Sequence, residues 1–213
     1  MTLDLFADQD TAYREARAIE MPGGEALLFD QFFSSAESDR YLEAFTSGGE
    51  IDWQQETISL YGKEHKLPRE TAWYGEPGRS YTYSGIRVEA QPWTESLRAI
   101  KEEIEKFADG KVFNSVLLNK YRDGKDGVSW HSDDEPELGT APMIGSVSFG
   151  QARKFQLKHR DNPELKREIL LPHGSFLLMR GDTQKNWLHQ IPKSMSKRNP
   201  MGVRVNLTFR IVG

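Results

Sequence analysis

From Val112 onward the chain reads as one short β-strand after another, and this run constrains the fold more than any other feature. The stretches Phe113 to Tyr121, Val128 to Asp133, Met143 to Phe149, Arg153 to Leu157, Glu168 to Leu171, Ser175 to Met179, Trp187 to Ile191 and Gly202 to Val212 are strand-like. Between them lie Gly, Pro and Asp turns such as Asp123-Gly124-Lys125-Asp126-Gly127. Short strands with turn chemistry between them predict a jelly-roll or barrel. The first half is mixed. A polar lead-in (residues 1–22) carries a short predicted helix from Thr11 to Ile19. A strand follows at Ala26 to Phe29, then a helix over Ser38 to Phe45 capped by Ser34 or Ser35. Trp53 to Tyr61 and its return to Arg69 read as a hairpin with Tyr61-Gly62 at the tip. Pro92 to Phe107 is the clearest helix, with Trp93, Leu97, Ile100, Ile104 and Phe107 on one stripe. The expected architecture is one α+β domain, mainly β with flanking helices. Residues at about 50–90 form a hairpin lid and those at about 111–213 the β core.

The 213 residues suffice for one sizeable core, and 37% hydrophobic with 28% charged residues is a folded composition. No cysteine is present, which excludes disulfides, thiolate metal sites and cysteine nucleophiles. A net charge of −4 excludes a uniformly basic nucleic-acid coat but not a local basic patch. Residues 1–20 hold five acids and no apolar run, so no signal peptide is expected, and no stretch has the apolar length of a membrane span. A cytoplasmic monomer is the default expectation.

Chemistry concentrates in Trp130-His131-Ser132-Asp133. In an extended segment side chains two apart share a face, so His131 and Asp133 would offer an imidazole and a carboxylate to one point. That is two-thirds of a 2-His-1-carboxylate iron site. Of the other histidines, His65 and His159 sit among Lys and Arg, and His173 lies in a Pro-His-Gly turn. His189, in the strand-like run Trp187 to Ile191, is the natural third ligand. In the last strand Arg204, Asn206, Thr208 and Arg210 alternate with Val205, Leu207 and Phe209. Most such strands turn their polar face to water. Turned into a barrel, two guanidinium groups need anionic partners, and bidentate Arg–carboxylate hydrogen bonds are worth roughly 1.5–3 kcal/mol each. A small dicarboxylate beside the metal fits, with Asn119 and Tyr121 adding hydrogen bonds from a neighbouring strand.

The ordered set Asn119-x-Tyr121, His131-x-Asp133, His189 and Arg204-Val-Asn206-Leu-Thr-Phe-Arg210 resembles the AlkB family of iron- and 2-oxoglutarate-dependent dioxygenases. Pro68-Arg69, Trp73-Tyr74-Gly75, Tyr81-Thr82-Tyr83-Ser84-Gly85, Trp130 to Pro136 and Ser146 to Gly150 agree with it. The likeness runs from about residue 53 to the end, closest to the animal DNA-repair members. It implies a double-stranded β-helix (jelly-roll) with an N-terminal nucleotide-recognition lid, and Fe(II), 2-oxoglutarate and O2 as cofactors. It carries the iron ligands onto His131, Asp133 and His189. The 2-oxoglutarate contacts fall on Asn119, Tyr121, Arg204, Asn206, Thr208 and Arg210. Substrate contacts fall on Tyr61, Arg69, Trp73, Tyr81, Tyr83, Ser84 and Glu135, while Asp134, of opposite parity to Asp133, should miss the metal.

The implied activity is oxidative demethylation of bases such as 1-methyladenine and 3-methylcytosine in alkylated DNA, single- or double-stranded. Alternatives are the same chemistry on RNA or another N-alkyl substrate, or a catalytically silent nucleic-acid-binding module. Tyr61 aligns with the finger that duplex-specific members insert, where they carry Phe. Arg69, Lys120, Arg122, Arg153, Lys154, Lys158, Arg160 and Arg167 are candidate phosphate contacts.

Overall fold

The computed structural model describes residues 14–60, 63–78, 80–83, 86–194 and 201–213, with the side chains at 58–60, 63, 65, 80–83 and 86–88 outside the description. In chain order the elements are β1 (Arg17–Ile19), β2 (Glu25–Phe29), α1 (Ser35–Thr46), β3 (Thr57–Leu60), β4 (Lys63–Lys66), β5 (Glu70–Gly75), β6 (Ser80–Tyr83), β7 (Ile86–Glu89), β8 (Gln91–Pro92), α2 (Glu95–Glu105), β9 (Ser115–Tyr121) and β10 (Val128–His131). A 3-10 turn (Pro136–Leu138) follows. Then come β11 (Ile144–Gly150), β12 (Arg153–His159), β13 (Lys166–Leu171), β14 (Ser175–Arg180), α3 (Thr183–Asn186), β15 (Trp187–Ile191) and β16 (Arg204–Arg210).

Two sheets face each other. The larger has the order β1-β2-β14-β11-β16-β9-β5-β8 and the smaller β10-β15-β12-β13. The hairpins β3–β4 and β6–β7 stand outside both. The large sheet is buried on both faces because its strands alternate between two cores. One face presents Val116, Leu118, Val147, Phe149, Phe176, Leu178, Val205, Leu207 and Phe209 to the core that includes α1 and α2 residues. The other turns Leu117, Tyr121, Ile144, Leu177 and Met179 toward Phe155, Leu157, Ile169, Leu171, Trp187 and Ile191 of the small sheet. This is the jelly-roll that the strand run predicts.

The helices form where the sequence caps them. Ser34 Oγ accepts the Glu37 N–H while Glu37 Oε2 accepts the Ser34 N–H, a reciprocal capping box. Thr94 caps α2, so that helix begins three residues after Pro92, which instead pairs in β8 beside Gly75. Leu97, Ile100 and Ile104 are completely buried, each worth roughly 1.5–3 kcal/mol over an exposed position. Gly150 ends β11 at φ +86, where a Cβ would collide with the Val203 carbonyl.

Three expectations are corrected. The predicted Thr11 to Ile19 helix is absent from its described part: Arg17, Ala18 and Ile19 form β1, paired with Leu28, Leu27 and Ala26. A sheet edge satisfies these backbone groups cooperatively, which outweighs the propensity of an isolated short helix. The first hairpin strand begins at Thr57 rather than Trp53, whose indole donates to the Phe45 carbonyl (2.8 Å). The strand Val128 to Asp133 stops at His131. Among the described residues no helix is long and apolar enough to cross a membrane.

Candidate metal and co-substrate site

The two histidines meet because β10 and β15 are antiparallel neighbours with His131 opposite His189 in register. A bulge between Val128 and His131 re-aims the end of β10. Their ring centroids lie 4.3 Å apart. Asp133 arrives differently. It lies in a bend beyond β10, its N–H donates to Gln184 Oε1 (3.0 Å) and its Oδ1 accepts from Arg210 Nη2 (2.5 Å). One ligand atom from each of His131, Asp133 and His189 falls within 4.8 Å of the others. Asp133 Oδ2 stands 3.8 Å from His189 Nε2.

The electrostatics suit a cation. Burial alone would raise the Asp133 carboxyl, but Arg210, His189 and His131 override it and hold it at about 2. Burial, followed by repulsion from His131 and opposed by Asp133, pushes His189 down to about 3. At neutral pH the carboxylate is therefore ionised and the His189 imidazole neutral, the forms in which both ligate metals. His131 Nδ1 lies 2.8 Å from the Ser129 carbonyl, so it carries the proton and donates, leaving the Nε2 lone pair free. Two imidazoles and a carboxylate form the donor set preferred by non-haem iron.

The cluster forms one end of a cavity lined by Asn119, Tyr121, His131, Asp133, His189, Arg204, Asn206, Thr208 and Arg210. All nine expected metal and 2-oxoglutarate residues are thus brought to one place. On β16 the polar set and the apolar set point to opposite cores, and every residue is buried. Register sets Arg204 beside Tyr121 and Asn206 beside Asn119. Arg204 is 1% exposed; Nη2 donates to Ser148 Oγ (3.0 Å), while Nε and Nη1 are buried without a partner among the described residues. Burial lowers its pKa to about 10. Leaving such donors unmade is costly, and an arriving carboxylate relieves part of that cost. The cavity therefore fits a metal-chelating small diacid on two independent counts, its donor set and its orphaned guanidinium nitrogens.

Other expected residues fare unevenly. Arg69, expected at the substrate, is 3% exposed and donates through Nε to Asn119 Oδ1 (2.7 Å), so it braces the cavity wall instead of meeting phosphate. Trp73 is 4% exposed in the core between the sheets, opposite Leu117, and presents no face to a base. Arg153 is buried too, donating to the carbonyls of Asp126 (2.9 Å) and Pro192 (2.8 Å). The cause is shared: all three point to the inner side of the sheets, a parity that composition alone conceals. Glu135 is half-buried, and its Oε2 is buried without a partner among the described residues. Asp134 is exposed and pairs with Arg160 (2.6 Å), away from the cluster. Tyr61 and Ser84 lie outside the described residues, and of Tyr81 and Tyr83 only the β6 backbone is described.

Sequence reasoning overlooked Gln184, completely buried on α3, which orients Asp133. Nothing local in Thr183-Gln184-Lys185-Asn186 signals that role. It also left Ser146 and Ser148 without one. They accept from Asn206 Nδ2 (2.9 Å) and Arg204 Nη2 respectively, and their alternation on β11 was the available signal.

The model of the 2OG-Fe(II) oxygenase superfamily matches residues 25–210. The human protein named alpha-ketoglutarate-dependent dioxygenase alkB homolog 3 is 43% identical over 194 residues, 87% of this chain and 65% of that protein. The human DNA oxidative demethylase ALKBH2 is 34% identical over 211 residues, covering 93% of this chain and 76% of that protein. The chain spans 63–65% of the length of the four mammalian alkB homolog 3 proteins it matches. A solved structure described as that of OsALKBH1 superposes with a TM-score of 0.64 at 16% identity, over 92% of this chain and 100% of that one, a likeness of fold. A superfamily match over most of the chain, together with AlkB relatives at 34–43% identity, places this protein in the AlkB family of 2OG-Fe(II) oxygenases, whose cofactors are Fe(II), 2-oxoglutarate and O2.

Proposed function

We propose that the chain is an oxidative demethylase of N-alkylated bases in DNA, acting on lesions such as 1-methyladenine and 3-methylcytosine. The observation that carries the reading is the cavity itself: a His131–Asp133–His189 cluster at one end and a buried, under-partnered Arg204 at the other. Three protein ligands leave coordination positions open for co-substrate and oxygen. Bound iron with 2-oxoglutarate supplies the oxidant that hydroxylates the N-methyl group, after which the hydroxymethyl base releases formaldehyde. The chain orients and shields. Arg204 grips the far carboxylate of the diacid, with Tyr121 beside it. Arg210 holds Asp133 in place and adds positive charge at the near end. Phe155, stacked on His189 at 5.2 Å, together with Leu117, Met179 and Ile191, keeps the cavity wall apolar.

For the base, Glu135 supports the reading. A buried carboxylate oxygen with no partner among the described residues suits a cationic methylated base. Tyr81 and Tyr83 on β6 and Tyr61 between β3 and β4 are the proposed stacking residues, on the two hairpins outside the sheets. DNA is preferred to RNA because the relatives named for a substrate are DNA demethylases. The test is mass spectrometry of single- and double-stranded DNA and matched RNA carrying 1-methyladenine, incubated with iron and 2-oxoglutarate. The expected result is loss of one methyl group, greatest on DNA, and none with His131→Ala. Absence of succinate and formaldehyde with every oligonucleotide would instead favour a silent binding module.

A further inference from the structure

Arg160, the residue after β12, touches neither the cavity nor the cluster, yet its contacts surround the metal loop. Its Nη2 donates to Ser132 Oγ and to Asp134 Oδ2, the residues on either side of Asp133. Its backbone N–H donates to the Asn186 carbonyl (2.8 Å), directly before the strand that carries His189. His159, its neighbour, pairs in register with Trp187. Arg160 therefore ties the loop bearing His131 and Asp133 to the root of β15.

We infer that Arg160 is a positioning residue for the metal site, acting through Ser132 and Asp134 to hold Asp133 at its ligating place. This rests on the reading of His131, Asp133 and His189 as iron ligands. Asp133 lies beyond the end of β10, so no ladder hydrogen bond orients it. Three contacts do so instead: Gln184 on its N–H, Arg210 on its carboxylate from inside, and Arg160 on its two neighbours from the solvent side. An exposed ion pair of this kind adds little to stability. The bond to Ser132, only 8% exposed, adds geometric constraint beside the contacts of Gln184 and Arg210. Outer residues that orient a ligand commonly affect metal affinity 10–100-fold. Arg160 was also a candidate phosphate contact; the structure engages its Nη2 with Ser132 and Asp134 instead.

The test titrates Mn(II) into metal-free protein and follows the free-ion spin-resonance signal, needing no turnover. Arg160→Gln should weaken Mn(II) binding about 10-fold, with an unchanged midpoint of thermal unfolding for the metal-free form. Arg160→Lys, which keeps a donor and the charge, should recover most of the affinity. Ser132→Ala removes the buried contact from the other side and should weaken binding several-fold, which keeps the test decisive should Arg160→Gln fold poorly. Wild-type Mn(II) affinity in both Arg160→Gln and Ser132→Ala overturns the inference, as does a loss confined to oligonucleotide binding. Failure of the ligand reading is distinguishable: wild type and His131→Ala would then bind Mn(II) alike.

Discussion

The two ends of β16 carry the same residue in opposite circumstances. Arg210 is 2% exposed and bonded to Asp133 at 2.5 Å, an anionic partner that the chain itself supplies. Arg204, six positions earlier on the same face, is equally buried but meets Ser148 and the Tyr121 ring, whose centroid is 5.1 Å from its guanidinium carbon, and no carboxylate among the described residues. Burial is similar, so an anionic partner separates them. A guanidinium paired inside the protein shapes a neighbour, here the carboxylate of Asp133. One left unpaired awaits something from outside.

The contrast breaks most sharply at Arg210. Arg210→Met strands a buried carboxylate and should cost about 3–5 kcal/mol of unfolding free energy in a denaturant titration. A smaller loss would mean that Asp133 is wetter than its 3% exposure indicates. Arg204→Met should leave stability within about 1 kcal/mol of wild type, or raise it, since it removes an unpaired charge. The same change should raise the KM for 2-oxoglutarate at least about 100-fold, for two lost charge-assisted bonds of roughly 1.5–3 kcal/mol each. Equal destabilisation by the two substitutions would erase the distinction.

Acidity sharpens the Arg210 end. His189 has a folded pKa of about 3 against an ordinary 6.5, so between these values the unfolded chain binds the extra proton. Metal-free stability is then full above pH 6.5 and falls as pH drops, by up to about 1.4 kcal/mol per pH unit. Asp133, held at about 2 against 3.8, adds stability that is present above 3.8 and lost as pH falls through 2. Chemical unfolding of His189→Gln between pH 7 and 4.5 should show a flatter slope than wild type. The smallest effect belongs to Ser148→Ala, which takes one neutral acceptor from Arg204. It should alter the 2-oxoglutarate KM only a few-fold, about 1 kcal/mol.

That the nine metal and co-substrate residues belong together was legible from strand parity joined to the family resemblance, because a strand's period of two is local. The route to Asp133 was not. Parity set it on the face of His131 in one continuous strand, whereas the chain bends after His131 and Gln184 and Arg210 bring the carboxylate back. Arg69 and Trp73 were misread for a related reason: charge and aromaticity suggest a surface, whereas the pairing of β5 with β9 turns Trp73 inward and Arg69, just before β5, bonds to Asn119 of β9.

By itself the sequence determined the run of short strands, the amphipathic stripe of α2 and the chemistry of the cavity, because periodicity and residue type are properties of neighbours along the chain. Tertiary structure alone decided that His131 faces His189 across two strands, that β16 is buried on both faces, and that Arg210 meets a carboxylate while Arg204 meets none among the described residues. Those outcomes depend on which strands pair and in what register, and residues far apart in the chain settle that by burying their apolar faces together.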